Sequence, residues 1–318
     1  MIGIRNIASY IPENFESNFD KMDKFKIDEH FIKNKIGVLQ VAQKNIEEET
    51  SDMCVKAFNN FKVDDNNLSD KIDCIVVCTQ NPDSHGIPHT SAIVHNKLNL
   101  SENCASFDIS LGCSGYVYSL SIIKSFMESN GLKNGLLFTA DPYSKIVNRD
   151  DKDTVLLFGD AATVTLLSEY NNNEEYWYPE KFFFNTSNKD GDALQNNDGI
   201  LKMNGRIVFN FCATKVPIQI KDLLNYNKLE VKDIDLFVFH QGSKYIIETL
   251  IRKMDLPIEK VPIKLLLYGN TVSSSIPLVL EEYLEEKNLN RIILSGFGVG
   301  LSWASCLITR NERRKHVN

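Results

Sequence analysis

The chain has 318 residues, 43% of them hydrophobic, and 42 acidic against 35 basic side chains give a formal net charge of −7. It is long enough to bury a large core as two domains or one duplicated unit. The acidic balance and the lack of a lysine/arginine block exclude a global basic field for nucleic acid. The opening residues 1–7 lack a signal peptide's long apolar region. No apolar run reaches the ~18 residues of a membrane span, so no membrane partner is expected. Seven cysteines, an odd number without framework spacing, point to a reducing compartment. A soluble, cytoplasmic protein is expected.

In chain order, residues 72–78 form a continuous apolar run, the pattern of a strand buried on both faces. Within residues 105–118 a strand-like run meets the start of an apolar helix, which Gly112-Cys113-Ser114 opens. Val117, Leu120, Ile123 and Met127 recur there at three- and four-residue spacing and give one buried stripe. Residues 136–140 read as the next strand. A polar stretch without periodicity, residues 168–175, is the expected seam between residues 1–170 and 171–318. Residues 234–239 are again a buried run, and Gly269-Asn270-Thr271 opens a helix. That helix carries Ser274, Ile276, Leu278, Val279 and Tyr283, then turns acidic at Glu281, Glu282, Glu285 and Glu286, a solvated face. Residues 291–296 close the series as a strand.

The order repeats. Asp73 and Asp235 are 162 residues apart, Cys113 and Asn270 157, Leu137 and Ile293 156. Three matches in one order at nearly one offset indicate two copies of one α/β unit. Strands alternating with helices predict mostly parallel sheets covered by helices.

Cys113 is the candidate nucleophile. A thiol reacts as thiolate, and the free N–H groups of a helix start lower its pKa. Gly112, Ser114 and Gly115 leave the sulfur approachable. The other six cysteines, Cys54, Cys74, Cys78, Cys104, Cys212 and Cys306, are expected to be small buried hydrophobes. His240 follows directly on the second buried run, and Asn270 stands before the second helix. Alone, His240 could be a satisfied structural residue and Asn270 an N-cap. Ligands bind beyond the carboxyl ends of strands in open α/β sheets, so duplication would bring all three to one pocket. Three glycines in five residues, Gly296, Gly298 and Gly300, predict a tight hairpin that can aim an N–H into an oxyanion hole. No helix and acidic residue follow as a dinucleotide fingerprint requires. His85 and His89 are interrupted by Gly86 and Pro88, which excludes a helical zinc pair, and no metal site is expected.

Gly112-Cys113-Ser114-Gly115, His240-Gln241, Gly269-Asn270-Thr271 with Ser275-Ile276-Pro277, and Gly296-Phe297-Gly298-Val299-Gly300 resemble the motifs of β-ketoacyl-acyl carrier protein synthase III, of the thiolase-like superfamily. The resemblance runs nearly end to end, from Ile2-Gly3-Ile4 through Phe158-Gly159-Asp160-Ala161 and Leu201-Lys202-Met203-Asn204-Gly205. It implies a five-layered αβαβα thiolase-like fold of two duplicated α/β halves and a homodimer. It implies a ping-pong condensation in which an acyl thioester loads Cys113 and malonyl-acyl carrier protein then decarboxylates and attacks. His240 and Asn270 would donate hydrogen bonds to the enolate, and the backbone N–H groups of Cys113 and Val299 would form the oxyanion hole. No permanently bound cofactor is implied; acyl-CoA and malonyl carrier protein are substrates.

The pattern departs from the family in places. The tryptophan that stacks on the CoA adenine appears as Phe31, two cofactor arginines appear as Lys35 and Lys152, and Ser243 stands where the family has asparagine. Phenylalanine still stacks and lysine still meets phosphate, without the bidentate grip. Ile87 matches the position from which the partner subunit gives a phenylalanine to the acyl pocket, so a longer or branched chain is expected to fit. On a helix after His240, Arg252 and Lys253 match two basic positions that the family uses to dock the acidic carrier, while the family's arginine earlier in that helix is Tyr245 here, with Lys244 beside it. The alternative on the same fold is an acyltransferase passing the acyl group to an amine or hydroxyl. A degenerate, non-catalytic subunit would have lost part of the Cys113, His240 and Asn270 set, and a papain-like protease would need different surroundings for its cysteine.

Overall fold

A computed structural model describes residues 1–62, 67–169 and 176–310. The first half runs β1 (Ile2–Tyr10), β2 (Asn14–Ser17), α1 (Met22–Phe25), β3 (Gln40–Gln43), α2 (Thr50–Asn59), β4 (Cys74–Cys78), α3 (Thr90–Lys97), β5 (Ala105–Ile109), α4 (Gly115–Asn130), β6 (Asn134–Ala140), α5 (Lys152–Val155) and β7 (Ala162–Glu169). The second runs β8 (Trp177–Thr186), β9 (Leu194–Asn197), β10 (Ile200–Met203), α6 (Gly205–Asn227), β11 (Leu236–Phe239), α7 (Lys244–Met254), α8 (Ser275–Glu281), β12 (Arg291–Gly298) and β13 (Ser302–Arg310). Of the expected seam, residues 170–175 lie outside the described residues.

Nine strands form one continuous sheet, and two short pairs, β2 with β3 and β9 with β10, stand apart. Among the described residues β1 meets β8 only at Ile4 with Trp177, and this narrow join divides the large sheet into two half-sheets, β5-β4-β6-β7-β1 and β8-β13-β12-β11. Both centre on a parallel pair (β4 with β6, β11 with β12) followed by an antiparallel strand. The repeated order is the predicted duplication. The sheets are not mostly parallel, however. Short connections such as the glycine turn between β12 and β13 can join only antiparallel strands, and parallel pairing occurs only where a helix crosses over.

Side-chain alternation on the buried strands builds the layers. On β4, Ile75 and Val77 face an outer layer with Met53, Cys54 and Ala57 of α2 and Val94 of α3. Val76, between them, faces the opposite way into a central layer with Leu120, Ile123 and Met127 of α4 and Ile276 and Val279 of α8. The second sheet closes that layer with Val238, Ile292 and Leu294. Its other face packs Phe237 and Ile293 on Val216, Ile220 and Leu223 of α6 and Ile247 and Leu250 of α7. The stack is helix, sheet, helix, sheet, helix, the thiolase-like architecture expected.

The α4 stripe is completely buried, as the periodicity predicts, but Tyr116 and Ser119 are buried too. A helix held between two sheets buries more than one face. Each large apolar side chain so enclosed is worth roughly 1.5–3 kcal/mol of transfer free energy. Gly131, at φ 66°, ends α4 in the left-handed conformation. The second central helix is shorter than expected: α8 stops at Glu281, and Glu282, Glu285 and Glu286 lie exposed beyond it.

Candidate active site

Cys113 stands at the end of the link from β5 to α4, whose helical residues begin at Gly115. The thiol is buried, and burial pushes its pKa up to about 12, against hydrogen bonds from the backbone N–H groups of Val299 and Cys113. The helix start therefore does not by itself hold a thiolate, because desolvation outweighs it. The same two N–H groups are the expected oxyanion donors. Val299 reaches the sulfur because the end of β12 packs against the link that carries Cys113. A Cβ on Gly296 would stand 2.7 Å from the Cys113 carbonyl oxygen, and one on Gly298 2.6 Å from its Sγ, so only glycine fits there.

His240 terminates β11, its N–H donating to the Ser295 carbonyl at 2.8 Å. Gln241 clamps the turn, donating to Phe239 O at 2.8 Å and accepting from Lys264 N at 2.9 Å. The imidazole Nδ1 is 2.7 Å from Ser275 Oγ, and the Phe297 ring meets it edge-on at 5.6 Å. Burial drives its pKa down to about 3, opposed by a hydrogen bond to the Val272 backbone. Burial thus favours the neutral imidazole as the hydrogen-bonding form of His240.

Asn270 does not open a helix directly. It pairs instead with the segment that follows α5: its N–H donates to Leu157 O at 2.8 Å, and Gly159 N donates to its carbonyl at 3.0 Å. The motif around Gly159 thus exists to seat Asn270. Its Oδ1 accepts from Val272 N at 2.9 Å, an N-cap-like bond, which turns Nδ2 toward Gly242 O, 3.4 Å away. His240 Nε2 faces the same glycine, since a Cβ on Gly242 would lie 3.5 Å from it. The Asn270 amide nitrogen and His240 Nε2 therefore converge beside Gly242.

Cys113, His240 and Asn270 line one cavity of about 300 Å³, with Gly242, Phe297 and Gly298. An outer cavity of about 560 Å³ brings together Phe31, Lys35, Lys152 and Ser243. The two cavities share Lys35, Leu157, Met203, Gly205, Arg206 and Ser243, so they form one path from surface to sulfur. Ser243 also caps α7, its Oγ accepting from Ile246 N at 3.2 Å. Ile87 and the α7 cations lie off this path. Ile87 is 85% exposed, Arg252 and Lys253 are exposed in the last turn of α7, and Lys244 sits at its start against Gly37. Among the described residues no cluster able to hold a metal ion is found, and no helix is long and apolar enough to cross a membrane.

The sequence profiles of 3-oxoacyl-[acyl-carrier-protein] synthase III and of its C-terminal portion match residues 107–182 and 224–310. The β-ketoacyl-[acyl-carrier-protein] synthase III of Streptococcus pneumoniae is 30% identical over 331 aligned positions, covering 96% of this chain and 98% of that protein. The chain belongs to the β-ketoacyl-acyl carrier protein synthase III family. A solved 3-oxoacyl-(acyl-carrier-protein) synthase III superposes with a TM-score of 0.87 at 31% identity, over 97% of this chain and 99% of that one. The Thermus thermophilus synthase III gives 0.88 at 26% identity, over 96% and 98%. As a synthase III the chain is an acyl-condensing transferase of thiolase-like fold.

Sequence reasoning missed several buried residues around Cys113. Asp141, fully buried, accepts from Gln80 N and Ser273 Oγ, each at 2.6 Å, and so ties the β4 loop to the segment after Asn270. Burial pushes its carboxyl up to about 6. Tyr143 is buried against Phe158, with ring centroids 4.9 Å apart, and its hydroxyl donates to Gln80 Oε1 at 3.1 Å. Cys212 lines the inner cavity with Cys113, so its burial is that of a cavity wall. None carries a local signal, because each is defined by contacts between distant segments.

Proposed function

We propose that Cys113, His240 and Asn270 carry a decarboxylative condensation on acyl thioesters. The convergence of one nucleophile and two neutral donors in a single buried cavity carries this reading. Cys113 Sγ attacks the acyl carbonyl, and the N–H groups of Cys113 and Val299 receive the oxyanion. The donor thiolate leaves and takes up the proton that Cys113 gives up. Malonyl carrier protein then enters, and loss of carbon dioxide puts negative charge on its thioester oxygen. Asn270 Nδ2 and His240 Nε2–H stabilise that enolate; Nε2 carries the proton in the tautomer where Nδ1 accepts the Ser275 hydroxyl hydrogen. The carbanion attacks the acyl-enzyme, which frees Cys113 and yields a 3-ketoacyl thioester. Carbon dioxide release coupled to 3-ketoacyl-carrier formation tests this. Acyl-enzyme that persists without either product would instead indicate simple acyl transfer.

No permanently bound cofactor is required. The outer cavity suits CoA: Phe31 offers a face to the adenine, Lys152 Nζ stands 5.2 Å from that ring's centroid, and Lys35 and Ser243 flank the pantetheine arm. The chain acts in the cytoplasm, where its seven cysteines, all free in the structure, are stable as thiols. It works as a homodimer. β5 is the outermost strand of the large sheet, half-exposed along its length, and Ile122 and Phe184 add exposed apolar surface. An unpaired edge of this kind is satisfied by a second copy. The halves 1–170 and 171–318 divide the labour, nucleophile from the first and donors from the second.

Across that dimer, the exposed Ile87 enters the partner's acyl pocket. Because it is smaller than phenylalanine, loading across a donor series from acetyl to decanoyl is expected to extend beyond acetyl. The preference should be graded, a methylene being worth ~1–3 kcal/mol. Ile87→Phe should shorten the preferred chain; a peak at acetyl that this variant leaves unmoved would remove Ile87 from the pocket.

Arg252 and Lys253, with Lys244 at the opposite end of α7, give this acidic protein a local basic surface for the carrier. Reversing both charges (Arg252→Glu, Lys253→Glu) is expected to raise KM for malonyl carrier protein several-fold, more at low salt than at high. Loading of Cys113 from acyl-CoA should persist. Unaltered carrier kinetics would leave these cations only the role of complementing the helix dipole.

A further inference from the structure

The path to Cys113 carries a third cation that the chemistry above does not use. Arg206 is exposed and lines both the outer and the inner cavity. It is the second residue of α6, where the positive end of the helix favours acidic side chains, yet the first turn of α6 contains none. Among the described residues, no carboxylate pairs with Arg206, Lys35 or Lys152. The two lysines rest instead on aromatic rings, Lys35 Nζ 5.2 Å from the Tyr245 centroid and Lys152 Nζ 5.2 Å from that of Phe31. Three unpaired cations on one cavity, against the single carboxylate of Asp153, form an anion-selective entrance. Of the three, only a guanidinium can grip two oxygens of one phosphate at once. The Gly205 and Arg206 N–H groups have no intrahelical acceptor at their position, which adds donors on the same side.

We propose that Arg206 is the phosphate-binding residue of the thioester donor, taking over the bidentate contact that Lys35 and Lys152 cannot make. Its ligand is a phosphate ester, present both in CoA and in the phosphopantetheine arm of a carrier protein. This rests on the reading that Cys113 is acylated through this entrance.

The test compares initial rates of Cys113 acylation, followed by intact-protein mass spectrometry, for acyl-CoA, acyl-3′-dephospho-CoA, acyl-carrier protein and phosphate-free acyl-pantetheine. In Arg206→Ala the ratio of kcat/KM for acyl-CoA to that for acyl-pantetheine should fall by about ten- to hundredfold, the worth of a charge-assisted hydrogen bond. Arg206→Lys should recover only part of it, because the charge returns without the fork. A loss that disappears with 3′-dephospho-CoA assigns the contact to the 3′-phosphate. A loss shared with the carrier donor assigns it to the phosphate next to pantetheine. A ratio unchanged in Arg206→Ala, or fully restored by Arg206→Lys, overturns the assignment. If the unaltered protein acylates Cys113 from no donor at all, the functional reading falls and takes Arg206 with it.

Discussion

Cys113→Ala is expected to abolish covalent loading, with no acyl adduct by intact-protein mass spectrometry from either CoA or carrier donors. The loss should be complete. Cys212, the other thiol on the inner cavity, is fully buried, and its pKa is raised first by burial and then by Cys113. The backbone N–H of Val299 addresses only the Cys113 sulfur, so an acyl group on Cys212 would lack an oxyanion site. The variant should still fold, because serine-sized and smaller residues already surround the position: Gly112, Ser114, Gly115 and Gly298. An adduct of the same mass in Cys113→Ala would sink the nucleophile assignment.

The second large effect concerns the donors. His240→Ala and Asn270→Ala should each lower decarboxylation of malonyl carrier protein by about 10²–10³-fold, the usual cost of one oxyanion donor. Both should still form acyl-Cys113, which separates a role in enolate stabilisation from a role in activating the thiol. Asn270→Asp should be as damaging as Asn270→Ala, since it puts an acceptor where the enolate needs a donor. The pH dependence carries a sign. Burial holds the His240 pKa near about 3, so decarboxylation should show no acidic limb near the ordinary value of 6.5. By linkage, the stability that neutral His240 permits is fully present above about pH 6.5 and is lost as pH falls toward 3. A limb at 6.5 that vanishes in His240→Ala would show that this imidazole titrates freely and would contradict the buried geometry.

Much of the fold was legible because the chain's strongest patterns are those of buried elements. The apolar runs at 72–78 and 234–239 contain β4 and β11, and the α4 stripe is buried as its spacing predicts. The site was legible where a residue type is unusual for its local setting: a cysteine between glycines, a histidine on a strand end, glycines crowded into a turn. Sheet direction was not, since parallel and antiparallel strands buried on both faces carry the same apolar run. The end of α8 was missed because Tyr283 continues the helical period although the chain has left the helix. Asp141 and Tyr143 were invisible for a different reason. Their environment comes from Gln80, Phe158 and Ser273, and no local pattern encodes contacts across such separations.

The donors that frame the cavity also bond the two halves of the chain together. Asn270 is stitched to Leu157 and Gly159, Ser273 to Asp141, Ser274 to Thr139 and Ser114 to Ser302, all across the division between the repeats. Among the described residues, the two halves of the large sheet share one ladder pair, Ile4 with Trp177. Catalytic geometry and cohesion of the repeats therefore form one cooperative unit. Neither repeat should hold its share of the pocket in isolation, and thermal unfolding should erase activity and structure in a single transition.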